Sequence, residues 1–172
     1  MIDSPSDWIW DFWTVRDGAT THLFFLTAPR SLGDPVLRHR HARVGHAVST
    51  DLVTWTRRPD ALLPQPAPAY DDVATWTGCT VADPAGGWRM FTSGIAGPDG
   101  LRQRVGASTS PDLDHWTRTD WVLEADPRWY RLSDHRGETH WRDPFVVADE
   151  DGLWHMYLTA KSASHPGPIG NG

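Results

Sequence analysis

At 172 residues the chain is about one ordinary domain long, and 39% hydrophobic with 22% charged residues is the composition of a folded globular protein, which excludes a disordered tail. A formal charge of −6, from 22 acidic against 16 basic residues, lacks the basic surface that nucleic acid requires, so no nucleic-acid partner is expected. No run approaches the roughly 20 consecutive apolar residues of a membrane span, and Met1 to Trp10 has neither a basic stretch nor an apolar signal core, so the expectation is no membrane partner and a cytoplasmic location.

In chain order, Val15 leads through Arg16-Asp17-Gly18 into the strand-like run His22-Leu-Phe-Phe-Leu-Thr-Ala28. Gly accepts positive φ and Asp bonds its own backbone, so this reads as a β-hairpin. An alternating segment, Arg43-Val-Gly-His-Ala-Val-Ser, follows and runs through Asp51-Leu-Val-Thr-Trp55, a turn that drops a large ring onto a neighbour before an edge strand. The same order then returns. Val81, the turn Asp83-Pro-Ala-Gly-Gly87 and the strand Trp88 to Gly94 lead to Arg104-Val-Gly-Ala-Ser-Thr-Ser and Asp112-Leu-Asp-His-Trp116. Val147, Asp149-Glu-Asp-Gly152 and Trp154 to Ala160 begin a third copy. The valines 15, 81 and 147 keep an interval of 66 residues, and Phe25, Phe91 and Tyr157 share it.

Each unit is therefore strand, strand, strand, turn, strand, with no long helical periodicity and with 14 Pro and 15 Gly as punctuation. The fold class expected is all-β: a propeller of four-stranded antiparallel blades, with a tandem sandwich as the alternative. The repeats span about 8–64, 74–125 and 140–172, the last incomplete at Ile169-Gly170, as the N-terminal part of one propeller domain. About two and a half blades cannot close a ring, so the missing blades are expected in the same gene product or in a second chain.

The interval of 66 aligns Asp11, Thr77 and Asp143 at the start of the repeats. In a propeller these positions are related by rotation, and the innermost strands would bring both acids to one funnel. Convergent carboxylates suit glycoside hydrolysis, where one attacks or activates water, another group protonates the leaving oxygen, and hydrogen bonds tighten as the ring gains positive charge. Trp10 and Trp76, also 66 apart, would flank the funnel as apolar faces for a sugar, as would Trp13 and Trp141 if their strands face inward.

Trp10-Asp11-Phe12-Trp13, Trp76-Thr77-Gly78-Cys79 and Arg142-Asp143-Pro144, in this order, resemble the successive blade motifs of the five-bladed furanosidase propellers, the invertases and levansucrases of glycoside hydrolase families 32 and 68. The resemblance covers residues 8 to 172, about the first half of such an enzyme. It implies a retaining glycosidase or transglycosidase acting on fructosyl or other furanoside substrates, with Asp11 as nucleophile and Asp143 stabilising an oxocarbenium-like transition state. Arg142 would orient Asp143 and the sugar, while Thr77 and Trp76 would shape the pocket. It implies a carbohydrate partner and no cofactor. Phe12 and Trp13 depart from the Asp-Pro-Asn-Gly usual in invertases, and Phe12 from the Ser usual in levansucrases. The family's general acid is a glutamate of the fourth blade, outside this chain, so residues 1–172 alone are expected to hydrolyse nothing. Glu124, Glu138 and Glu150 remain, and Glu138 alone is placed to substitute, since the other two fall at an edge strand and a turn. Family 43 propellers that invert arabinofuranosides or xylosides are the enzymatic alternative, and a non-catalytic carbohydrate-binding propeller remnant is the alternative of another class.

Each candidate also has a plainer role. Asp11 and Asp143 could satisfy backbone donors, and Arg142 could simply pair with Asp143. Trp55 and Trp116 read as packing anchors. His39 and His41 would share a strand face, but no third ligand completes a site with them, and Asp71-Asp72 and Asp149 to Asp151 lack calcium-loop spacing, so no metal is expected. Cys79 has no disulfide partner and faces either the packed side of its strand or the funnel.

Overall fold

The computed structural model describes residues 2, 4–99, 101–133, 137 and 139–164. Among them are ten strands in three antiparallel sheets. Strands β1 (Asp7–Asp17), β2 (Thr20–Pro29), β3 (Arg43–Ser49) and β4 (Thr56–Leu62) pair in sequence order. So do β5 (Ala74–Ala82), β6 (Trp88–Ala96), β7 (Arg102–Ser110) and β8 (Thr117–Leu123). A third sheet pairs β9 (Trp141–Ala148) with β10 (Trp154–Ala160). Ile169 and Gly170 lie outside the described residues. β1 packs on β5 and β5 on β9, so the first strand of each sheet lies toward a shared centre, as in propeller blades.

The sheets meet face to face through apolar side chains. Phe24, Leu26, Val44 and Leu62 of the first sheet pack with Met90 and Leu113 of the second, joined by Trp13, Trp88 and Trp116. Cys79, Phe91, Val105 and Ala107 of the second sheet meet Trp141, Val146 and Ala160 of the third. Burial of each large side chain contributes roughly 1.5–3 kcal/mol, and these two seams hold the blades together. Cys79 therefore faces the packed side, and its burial pushes the thiol up to about 11.

Pairing corrects the repeat register by one residue in the second strand. Phe24 pairs with Trp13 as Phe91 pairs with Cys79 and Tyr157 with Phe145, so Phe24 and not Phe25 is the counterpart of Phe91. The cause is turn length: Arg16 and Thr21 enclose four residues, whereas the matching pairs Ala82–Trp88 and Ala148–Trp154 enclose five.

The Asp-Leu-x-x-Trp segments are left-handed turns. Leu52 has φ 61° and Leu113 φ 66°, and the cost of that conformation is offset by matching hydrogen bonds. Ser49 and Ser110 Oγ accept from Leu52 and Leu113 N, while Asp51 accepts from Val53 and Thr54 N and Asp112 from Asp114 and His115 N. Trp116 then lies edge-on to Phe24 in the seam, as expected of a packing anchor.

Between β2 and β3 the chain forms two 3₁₀ helices, Arg30–Leu32 and Pro35–Arg40. Asp34 Oδ1 accepts from Val36 N at 2.8 Å, and Pro35 supplies a preset φ at the start. His39 and His41 therefore do not share a strand face: His39 is in this 3₁₀ helix and His41 caps it.

Two faces of the half-ring carry exposed apolar side chains. On the first sheet, Phe12 (71% exposed) and Leu52 border a groove of about 700 Å³ lined also by Leu23, Phe25 and Trp55. On the third, Phe145 and Tyr157 (62% exposed) occupy the positions that Trp13 and Phe24 fill in the first seam.

Candidate active site

The first strand of each sheet carries an irregularity at the same place. Pairing shifts between Trp10 and Phe12 in β1, between Thr75 and Gly78 in β5, and opposite Tyr157 and Thr159 in β9. A bulge leaves a residue outside the ladder and re-aims its side chain. Here the residues so displaced include Asp11, Thr77 and Asp143. Asp11 (φ 37°) and Asp143 (φ 58°) both have positive φ, a conformation that non-glycine residues rarely hold without a compensating function or contact.

The three positions are joined by hydrogen bonds. Thr77 Oγ1 donates to Asp11 Oδ2 at 3.1 Å, Ser93 Oγ donates to the Thr77 carbonyl at 2.9 Å, and Asp143 N donates to Ser93 Oγ at 2.8 Å. Asp11 is exposed and Asp143 partly so. Burial raises the Asp143 carboxyl above its ordinary value; Arg142 and the Thr159 hydroxyl pull it down, and the charge of Asp11 pushes it further up. Arg142 Nε lies 3.3 Å from Asp143 Oδ2, and its Nη1 donates to Gln103 Oε1 at 3.2 Å and lies 2.9 Å from His140 Nδ1.

The tryptophans divide. Trp10 and Trp76 lie near this end of the strands, beneath the 3₁₀ helix, where Trp76 Nε1 donates to the His39 carbonyl at 2.7 Å. Trp13 and Trp141 are placed in the blade seams instead. Trp13 stacks on Phe24 and donates to Thr80 Oγ1, while Trp141, only 5% exposed, donates to the Leu123 carbonyl and meets the Tyr130 ring edge-on. Their strands turn these rings toward neighbouring sheets, which corrects the expectation that they flank the funnel.

Sequence reasoning missed Ser93, Gln103 and Thr159. Ser93 and Thr159 lie opposite the bulges, where the first sheet has Leu26, and a hydroxyl side chain at these positions was the available signal. Gln103 gave none, because its partners Trp141 N and Arg142 are 38 and 39 residues away.

Several of the other candidate acids have structural partners. Asp71 is buried, accepts from Thr75 Oγ1 and pairs with Arg118; Asp72 accepts from Gly97 N; and Asp149 accepts from Asp151 N and Leu153 N. Glu124 is paired with Arg102 and Arg104, and Glu138 lies outside the described residues. Among the described residues no group of three or more His, Cys, Asp or Glu side chains is arranged to hold a metal ion.

Radial four-stranded sheets with acids on bulged inner strands define a β-propeller of glycosidase type. Residues 15–169 match the N-terminal domain of glycosyl hydrolases family 32, and the chain belongs to that family. The extracellular sucrase of Zymomonas mobilis is 27% identical over 180 residues, covering 91% of this chain and 42% of that protein. β-Fructofuranosidase 1 of Zea mays is 31% identical over 134 residues, covering 72% and 18%. Fructan 1-exohydrolase IIa of Cichorium intybus, solved as the E201Q form with 1-kestose, superposes with a TM-score of 0.74 at 20% identity, covering 94% of this chain and 29% of that one. The chain thus spans less than half the length of these relatives. A cytoplasmic location, expected from the first ten residues, does not stand against a relative that is an extracellular sucrase.

Proposed function

We propose that this chain is the part of a retaining fructosidase that carries its nucleophile and transition-state stabiliser. The carrying observation is that Asp11 and Asp143 sit on equivalent bulges and are linked through Thr77 and Ser93. Asp11 attacks the anomeric carbon of a fructosyl unit, the bond to the leaving oxygen breaks as that oxygen takes a proton, and water later cleaves the ester. Thr77 holds the Asp11 carboxylate in position, Asp143 holds ring hydroxyls, and Arg142 keeps Asp143 ionised and oriented. Trp10 and Trp76 form the apolar side of the pocket.

The proton donor is a residue beyond the described ones, and the exposed faces at Phe12 and Tyr157 are covered by further blades of the same polypeptide or of a second chain. Residues 1–172 alone then turn over no sucrose. Relatives named sucrase, β-fructofuranosidase and fructan exohydrolase support a fructosyl substrate over the arabinofuranosides and xylosides of family 43, and family membership favours catalysis over a binding remnant.

A donor whose leaving group needs no proton tests the assignment. Fructosyl fluoride should esterify Asp11, detectable by peptide mass spectrometry, with no adduct in Asp11→Asn and slower labelling in Asp143→Asn. An adduct on another residue, or undiminished labelling in Asp11→Asn, would refute it.

A further inference from the structure

We infer that Gln103 is a positioning residue of the reaction, its side-chain carbonyl holding the Arg142 guanidinium so that it faces Asp143; the inference deepens the fructosidase reading of the site and rests on it. Gln103 lies on β7, the third strand out from the centre in its sheet, yet it is only 2% exposed. Its Oε1 accepts from the main-chain N of Trp141 at 3.1 Å and from Arg142 Nη1 at 3.2 Å. Both neighbours are donors, so the oxygen of the amide and not its nitrogen must face them.

The other blade junction shows what this contact adds. Arg43-Val-Gly and Arg104-Val-Gly align Ala42 with Gln103, and the interval of 66 aligns Thr75 with Trp141. Strand pairing gives the same match, because Thr75 lies opposite Gly94 and Trp141 opposite Ala160. Between the first and second sheets, Thr75 N donates to the Ala42 carbonyl at 3.0 Å, so a main-chain oxygen of an alanine satisfies this amide. Between the second and third sheets the same duty falls to the Gln103 side chain. An amide oxygen has two lone pairs and can serve a second donor. Here that donor is Arg142, at the position where β5 has Trp76 and β1 has Trp10. The glutamine thus stands where an arginine has to be steered beside an acid.

A guanidinium is planar and rigid, so fixing Nη1 fixes the direction of Nε, which lies 3.3 Å from Asp143 Oδ2. His140 Nδ1, 2.9 Å from the same Nη1, bounds that end of the group together with Gln103. The main chain of Asp143 is held separately, by Ser93 Oγ on β6. Two side chains of the second sheet therefore set Asp143, one through its amide and one through its charge partner. Burial raises the Asp143 carboxyl, Arg142 and then the Thr159 hydroxyl oppose this, and Asp11 adds to it, so a guanidinium released from Gln103 leaves the carboxyl higher still.

Gln103→Met keeps the length of the side chain and removes the acceptor. In carbon-13 NMR titration its Asp143 carboxyl should titrate above that of the unaltered chain, and Asp11 should be labelled by fructosyl fluoride roughly tenfold more slowly. Val105→Ala, which loosens the same seam two residues along β7, should leave the Asp143 titration in place. In an Arg142→Gln background the Gln103→Met substitution should move Asp143 no further, because its effect passes through the arginine. Nitrogen-15 NMR of the unaltered chain adds a reading that needs no variant: rotation of Arg142 about its Nε–Cζ bond should be slow enough to resolve the Nη1 and Nη2 signals. An unmoved Asp143 titration in folded Gln103→Met, an equal shift in Val105→Ala, a full shift in the Arg142→Gln background, undiminished labelling, or a freely rotating guanidinium would each overturn the role of Gln103. An unaltered chain in which fructosyl fluoride labels nothing would refute the fructosidase reading, while the two NMR readings would still decide whether Gln103 steers Arg142.

Discussion

Lowering the pH should weaken the seam between the first two blades through a buried histidine pair. His22 Nδ1 and His46 Nε2 are 3.0 Å apart, both rings are buried, and His46 also stacks on Phe24 in the seam. Burial, with the charges of His22, Arg58 and Arg57, lowers His46 from 6.5 to about 4, although Asp114, 3.5 Å from its Nδ1, pulls the other way. Burial lowers His22 as well, against Asp114 and Asp17 and with Arg58. Between pH 6.5 and 4 the unfolded chain therefore binds a proton at His46 that the folded chain refuses. The stability contribution is complete above 6.5 and is lost as pH falls. The linkage relation gives a loss of about 1 kcal/mol at pH 5.5 and about 3 kcal/mol by pH 4.5, relative to pH 8. Urea unfolding of the chain and of His46→Gln, followed by tryptophan fluorescence, isolates the effect, because the variant cannot take up that proton. The stability difference between the two should narrow by about that amount from pH 8 to 4.5. Parallel pH profiles would refute the reasoning.

Other perturbations act at the bulges and turns. Asp11→Asn should lower the pKa of Asp143, because the charge of Asp11 helps raise it, and carbon-13 NMR titration of the Asp143 carboxyl would detect the shift. Ser93→Ala leaves the Asp143 amide without its hydroxyl acceptor and should cost about 1–3 kcal/mol in urea unfolding while weakening fructose binding. Gly78→Ala puts a Cβ 2.0 Å from the Phe91 carbonyl oxygen, so β5 and β6 must part, with an expected loss of about 3 kcal/mol or more. Gly18→Ala, with φ +55° and open space around it, should cost only about 1 kcal/mol, and similar midpoint shifts for the two glycine variants would contradict this.

Local signals made the blades readable before any coordinates. The valines at 15, 81 and 147 precede turn chemistry that permits only a hairpin, and the paired Asp-Leu-x-x-Trp segments close left-handed turns with the same serine and aspartate acceptors. The second strand was readable only to within one residue, because a shorter first hairpin moves Phe24 into the place that the interval of 66 assigns to Phe25. At the site, the alignment of Asp11, Thr77 and Asp143 follows from first strands of constant spacing. Which tryptophans reach the funnel does not. Trp10 and Trp13 lie on either side of a bulge, and bulges leave little trace in composition. The role of Ser93 was hidden for a similar reason, since its two partners come from different sheets.

A crystal structure of the chain with fructose is the most direct measure of whether the acids at 11 and 143 serve one substrate. A single furanose ring should be found with an Asp11 oxygen facing the anomeric carbon and Asp143 accepting from ring hydroxyls. A ring touching just one of the two carboxylates, or seated in the groove beside Phe12 and Trp55, would contradict the account.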